Sequence, residues 1–123
     1  MTGSFEITKE FGFEAAHTFA HKDEGHANAR VHGHSFKVEV ALKGEPDPAT
    51  GCVVDFEQVN ARVNTVRDKL DHHMLNDIPG LGSPSLENLA RWIAGELRKD
   101  LPQVASVTVR RPTLGESCRY EVA

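Results

Sequence analysis

Apolar and polar residues alternate near both ends of the chain and recur at steps of three and four in its middle. Phe5, Ile7, Phe11, Phe13, Ala15 and His17 occupy odd positions, interrupted by Lys9. Successive side chains of an extended chain point to opposite faces, so this segment predicts a strand with one largely apolar face, and His17 belongs to that face. Phe36, Val38, Val40 and Leu42 repeat the alternation at even positions, predicting a second strand with His32-Gly33-His34 at its head. Between the two, residues 18–31 are polar and irregular, with turn chemistry in Lys22-Asp23-Glu24-Gly25. Loops of that length are uncommon unless they serve a function.

The period then changes. Gly44-Glu45-Pro46-Asp47-Pro48-Ala49-Thr50-Gly51 is too rich in turn residues for helix or central strand, and a short apolar run, Cys52-Val53-Val54, comes after it. Asp55, with Gln58 three residues on, resembles a capping box, and Phe56, Val59, Val63, Val66 and Leu70 form one stripe of a helix facing the sheet. After the break Ile78-Pro79-Gly80-Leu81-Gly82-Ser83-Pro84, Ser85 caps a second helix with Leu86, Leu89, Ala90, Ile93 and Leu97 inward, ending near Leu101-Pro102; Trp92 reads as ordinary packing. Val104, Val107 and Val109 begin a third strand, Arg110 to Gly115 interrupts it, and Ser117 to Val122 forms a fourth. The order ββααββ predicts an α+β fold, a four-stranded antiparallel sheet with both helices on one side. Such a sheet has open edges, so association of copies through it is expected.

At 123 residues the chain suits one domain spanning 1–123. A formal charge of -4, with both signs mixed along the chain, leaves no electrostatic footprint for nucleic acid or an anionic membrane. Small-molecule chemistry fits better. Two cysteines, Cys52 and Cys118, suit a reducing cytoplasm and are not spaced as metal ligands. The first residues lack the basic and apolar regions of a signal peptide, and no run approaches the roughly 20 apolar residues of a membrane span, so a cytoplasmic protein is expected.

Five of the seven histidines, His17, His21, His26, His32 and His34, crowd into one short stretch. His32 and His34, two apart on a strand, leave the same face and can grip one cation, with Gly33 leaving room behind them for a neighbouring backbone. Imidazoles in this arrangement suit zinc. If the first two strands pair antiparallel, His17 completes a three-histidine set with a fourth position open for water or substrate; alone, it would read as a hydrogen-bonded histidine at a strand end. Asp71-His72 is a carboxylate and imidazole pair suited to proton transfer, or a helix end answering its dipole. Arg110-Arg111 reads as a solvated face, or as an anion seat if a ligand lies nearby.

Several stretches in order, Phe13-Glu14-Ala15-Ala16-His17, Arg30-Val31-His32-Gly33-His34-Ser35-Phe36, Asp47-Pro48-x-Thr50-Gly51, Leu70-Asp71-His72-His73-x-Leu75-Asn76-Asp77-Ile78-Pro79-Gly80-Leu81 and Pro84-Ser85-x-Glu87-x-Leu89-Ala90, resemble the 6-pyruvoyltetrahydropterin synthase and 6-carboxytetrahydropterin synthase family, most of all its bacterial 6-carboxytetrahydropterin synthase branch. The resemblance implies the tunnelling fold, trimers stacked into a hexamer, and zinc on His17, His32 and His34. It further implies Asp71 and His72 as a proton-transfer pair, sites at subunit interfaces, and 7,8-dihydroneopterin triphosphate as substrate on the route to queuosine.

Two departures stand out. The family's loop cysteine, separated by three or five residues from the first histidine of the His32-Gly33-His34 motif, falls at Asn28 or His26. Asn28 cannot carry a proton, whereas His26 could act as a substitute base. The family's acidic anchor for the pterin base edge falls at Arg111 or Pro112, and a guanidinium has only donors. An arginine there favours an anionic ligand unless Glu87 or Glu116 takes the role. The expectation is a zinc lyase of this family; the alternatives are a diverged zinc enzyme with a different, anionic substrate, and a metal-binding oligomer without catalysis.

Overall fold

A computed structural model of the chain describes residues 3–19 and 25–122. His21 and most of the turn expected at 22–25 lie outside the described residues. The elements run β1 (Phe5–His17), β2 (His32–Gly44), α1 (Phe56–Leu70), α2 (Leu86–Arg98), β3 (Val104–Arg111) and β4 (Glu116–Glu121). The four strands form one antiparallel sheet in the order β1-β2-β3-β4. This is the predicted ββααββ architecture.

Strand register decides which side chains share a face. Phe13 pairs with Phe36, Ala15 with His34 and His17 with His32, so the odd positions of β1 and the even positions of β2 lie on the same side of the sheet. That side is buried: Phe11, Phe13, Phe36, Val38, Val40, Leu42, Val107 and Val109 pack against Val59, Val63, Val66 and Leu70 of α1 and Leu89, Ala90, Ile93 and Leu97 of α2. α1 lies mainly over β1, and α2 over β3 and β4. The opposite face is polar and lies open to solvent, with the Arg110 guanidinium 3.9 Å from Glu10 and 3.8 Å from Glu39 across three strands.

Both helices are capped by the expected residues, though at α1 the cap bond falls on Glu57 and not on the Gln58 of the expected capping box. The Asp55 carboxylate accepts the Glu57 N–H at 2.9 Å and the Ser85 hydroxyl accepts the Asn88 N–H at 3.1 Å, each satisfying a donor that the first turn leaves without a helical partner. Three expectations are corrected. Phe56, assigned to the inward stripe, is 45% exposed, because as the first residue of α1 it stands at the rim of the core, lining an outer apolar depression with Phe5 and Val53. β3 continues through Arg110 and Arg111, and the break is a 3-10 turn, Pro112–Leu114. At Gly33 a Cβ would lie 3.5 Å from the Ala15 carbonyl oxygen, an ordinary contact, so no close backbone approach within the chain demands glycine there. Among the described residues, no helix is long and apolar enough to cross a membrane.

Candidate functional site

The ends of β1 and β2 bring three imidazoles together. Ring centroids lie 4.6 Å apart for His17 and His32, 4.8 Å for His17 and His34 and 4.9 Å for His32 and His34. One ligating atom from each falls within 4.8 Å of the others. The two-residue period of β2 puts His32 and His34 on one face, and the pairing of His17 with His32 supplies the third ring.

Outer hydrogen bonds orient these rings. His17 Nδ1 lies 3.2 Å from the carbonyl oxygen of Pro84, and His32 Nδ1 lies 2.8 Å from that of Arg30. A carbonyl oxygen can only accept, so in both rings Nδ1 carries the hydrogen and the neutral ring presents its lone pair at Nε2. Those two Nε2 atoms face each other at 3.0 Å. Lone pairs so placed repel unless a proton or a cation lies between them. A proton is disfavoured, because burial first and then the neighbouring His34 and His32 lower the pKa of His17 to about 4. His34 is also held below its ordinary value, by burial and then by the charge of Arg111, and its Nε2 is buried without a hydrogen-bond partner. An orphaned ring nitrogen beside two opposed lone pairs is the donor set of a cation site. Three neutral imidazole nitrogens drawn together in this way are a donor set that fits zinc.

Beside the triad is a cavity of about 370 Å³ lined by Phe19, Asn28, His32, His34, Arg111, Leu114 and Glu116. Arg111 enters it as a largely buried side chain, not as part of a solvated face, and pairs with the Glu116 carboxylate at 3.0 Å. Gly115, at a φ of 66°, closes the turn that sets Glu116 opposite Arg111. Asn28 is part of the lining and His26 is not; His26 is exposed at the start of a 3-10 turn (Ala27–Ala29), where Nδ1 accepts the Asn28 N–H at 3.0 Å. Glu87 stands exposed in the first turn of α2, near the Cys118 thiol and outside the lining.

Asp71 and His72 occupy a different flank. The segment after α1 lies along the outer edge of β1: Glu14 N–H donates to Asp71 Oδ1 at 2.9 Å, His72 N–H to the Glu14 carbonyl at 2.6 Å, and Ala16 N–H to the His73 carbonyl at 3.1 Å. Asn76 fastens it further by exchanging two hydrogen bonds with the Thr18 backbone, at 2.9 and 3.0 Å. Asp71 Oδ2 meets His72 Nδ1 at 2.9 Å, and the Glu14 N–H followed by His72 holds the Asp71 carboxyl below its usual range. The His72 side chain is 79% exposed and its backbone is left-handed, at a φ of 59°, which a non-glycine residue adopts at a cost. His72 borders an open depression of about 570 Å³ with Glu14, Ser35, Met74 and Thr113, to which His34 also contributes. Sequence reasoning misses Glu14, whose carboxylate takes the Ser35 hydroxyl at 2.6 Å and whose main chain anchors both Asp71 and His72. The Glu14-Ala15-Ala16-His17 motif is the signal that could find it.

Residues 6–123 match the family described as 6-pyruvoyl tetrahydropterin synthase. The chain is 40% identical over 120 residues to a 6-carboxy-5,6,7,8-tetrahydropterin synthase of Synechocystis, covering 93% of this chain and 91% of that one. It is 36% identical over 110 residues to a dihydroneopterin monophosphate aldolase of Pyrococcus furiosus, covering 89% and 88%. The 6-pyruvoyl tetrahydropterin synthase structure from Caenorhabditis elegans superposes with a TM-score of 0.86 at 20% identity, over 98% of this chain and 97% of the other, so the two share a fold. A match along nearly the whole sequence, together with that fold, places this chain in the 6-pyruvoyl tetrahydropterin synthase family.

Proposed function

We propose that the protein is a zinc-dependent lyase of the 6-carboxytetrahydropterin synthase type, acting in the cytoplasm on 7,8-dihydroneopterin triphosphate. The observation that carries this reading is the inward meeting of His17 Nε2 and His32 Nε2 at 3.0 Å beside the orphaned Nε2 of His34, at the wall of a ligand-sized cavity. Two relatives named for pterin chemistry support it, one a 6-carboxytetrahydropterin synthase and one an aldolase.

Zinc, when bound, would supply Lewis-acid polarisation of an oxygen on the substrate side chain. Everything else falls to the chain. His17, His32 and His34 hold the ion, and the carbonyls of Pro84 and Arg30 hold two of those rings. Asp71 fixes the His72 ring through Nδ1, leaving Nε2 directed outward to take or return a proton. Asn28 stands at the cavity in place of a proton carrier, so His72 bears that task without a loop thiol. Within one chain His72 opens onto the depression at the β1 edge, which His34 also lines, while His32 and His34 line the neighbouring cavity. The family resemblance implies trimers or hexamers with sites at subunit interfaces, and on that ground we take the site to be completed between copies.

Zinc-loaded protein incubated with dihydroneopterin triphosphate is expected to yield a carboxypterin and acetaldehyde. A different aldehyde would move the assignment to aldol-type cleavage, and the absence of any pterin product would overturn the reading. Mixing inactive His34→Ala and Asp71→Asn proteins after dissociation tests the shared site. Activity should return only if one copy supplies the metal and another the proton-transfer pair.

A further inference from the structure

Arg111 and Glu116 face each other across the β3–β4 turn, on the side of the sheet that carries the histidines. The Arg111 side chain is 15% exposed, the Glu116 side chain 50%, and their one close contact is the 3.0 Å approach of Nη2 to Oε1. Arg111 Nε is buried and has no hydrogen-bond partner. The guanidinium thus retains unused donors, and the carboxylate a second oxygen, at the wall of a cavity that also exposes His32, His34 and Asn28.

A lone guanidinium in such a place would select an anion. This one is not alone. An anion approaching it meets the Glu116 carboxylate at contact distance and must break the pair or bear the repulsion. The pair itself is neutral and sets an acceptor beside donors, which is the complement of a planar ring edge carrying N–H groups next to a carbonyl oxygen.

We infer that Glu116 and Arg111 together read the amino-pyrimidinone edge of the substrate, Glu116 accepting from the ring N–H and exocyclic amine and Arg111 donating to the ring carbonyl. The carboxylate that the resemblance places at position 111 is supplied from the facing strand, and Glu87 has no part in it. His32 and His34 line the same cavity, so a ring anchored at this pair directs its side chain toward the triad. The inference rests on the pterin reading above, and its test separates the two.

The probes are pterin (2-amino-4-oxopteridine), which lacks the reacting side chain, and lumazine, which carries a second carbonyl in place of the amine. Fluorescence titration of zinc-loaded protein should show pterin bound well ahead of lumazine. In Glu116→Gln the pterin Kd should rise by about 10- to 100-fold, the loss of one charged hydrogen-bonding group, and the preference over lumazine should collapse. Unchanged zinc content and circular dichroism establish that this variant is folded. If the native enzyme turns over dihydroneopterin triphosphate while Glu116→Gln binds pterin as before, the inference is overturned and the pterin reading stands. Loss of pterin binding in Glu87→Gln in place of Glu116→Gln also overturns it. If the native protein binds pyrophosphate but neither pteridine and turns nothing over, the pterin reading falls and takes the inference with it.

Discussion

The proton balance of His17 sets how the metal-free protein responds to acid. Its folded pKa, about 4, lies below the ordinary 6.5. Between those values the unfolded chain binds the proton more readily, so unfolding is favoured as pH falls. The contribution to stability is complete above about pH 6.5 and gone near pH 4, on the order of 3 kcal/mol. Calorimetric melts of chelated protein should drop across that window, and His17→Gln should flatten the dependence. At the other flank, Asp71→Asn is expected to lower kcat by about 10²- to 10⁴-fold with zinc content intact, because the carboxylate that fixes the His72 tautomer is lost. His72→Asn should lose comparable activity yet melt no lower than native, since asparagine tolerates the left-handed backbone held there.

At the level of elements, α2 and the triad share a joint. Ser85 caps the helix, and the carbonyl of the preceding Pro84 receives His17 Nδ1. Ser85→Ala should cost about 1 kcal/mol in chemical denaturation, and zinc affinity should weaken with it as the Pro84 carbonyl loosens. Ile93→Ala, in the fully buried stripe of the same helix, should cost about 2–5 kcal/mol and leave zinc affinity unchanged. Much of this layout is legible in the sequence. The two-residue spacing of His32 and His34, the odd register of His17 and the three-and-four stepping of α1 and α2 are local patterns, and local patterns survive into the fold. Phe56 misleads because an apolar stripe does not reveal where the core beneath it ends. Glu116 is legible only as one of two options, since its place depends on how many residues the turn at Pro112 to Gly115 consumes. The docking of Asp71 and His72 onto β1 depends on main-chain bonds to Glu14, which no side-chain pattern encodes.

For the molecule as a whole, the outermost strands are β1 and β4; the segment after α1 covers β1 near Glu14 to Ala16, and Arg67 Nε donates to the Gly12 carbonyl at 2.8 Å. The remainder of β1 and the outer side of β4 present unpaired backbone groups, which favour pairing with another copy. Light scattering on purified protein should give three or six times the chain mass. A monomer retaining full activity would contradict a site completed between copies.

The groups that hold the His17 and His32 rings are the carbonyls of Pro84 and Arg30, and a main-chain oxygen is supplied by whatever residue occupies the position. Substitution at 30 or 84 cannot delete an acceptor so long as the backbone keeps its path. Evolutionary drift can therefore rewrite both neighbours freely while the imidazoles stay constant, and a search for remote descendants of this chain should weight His17, His32 and His34 far above the residues that steady them.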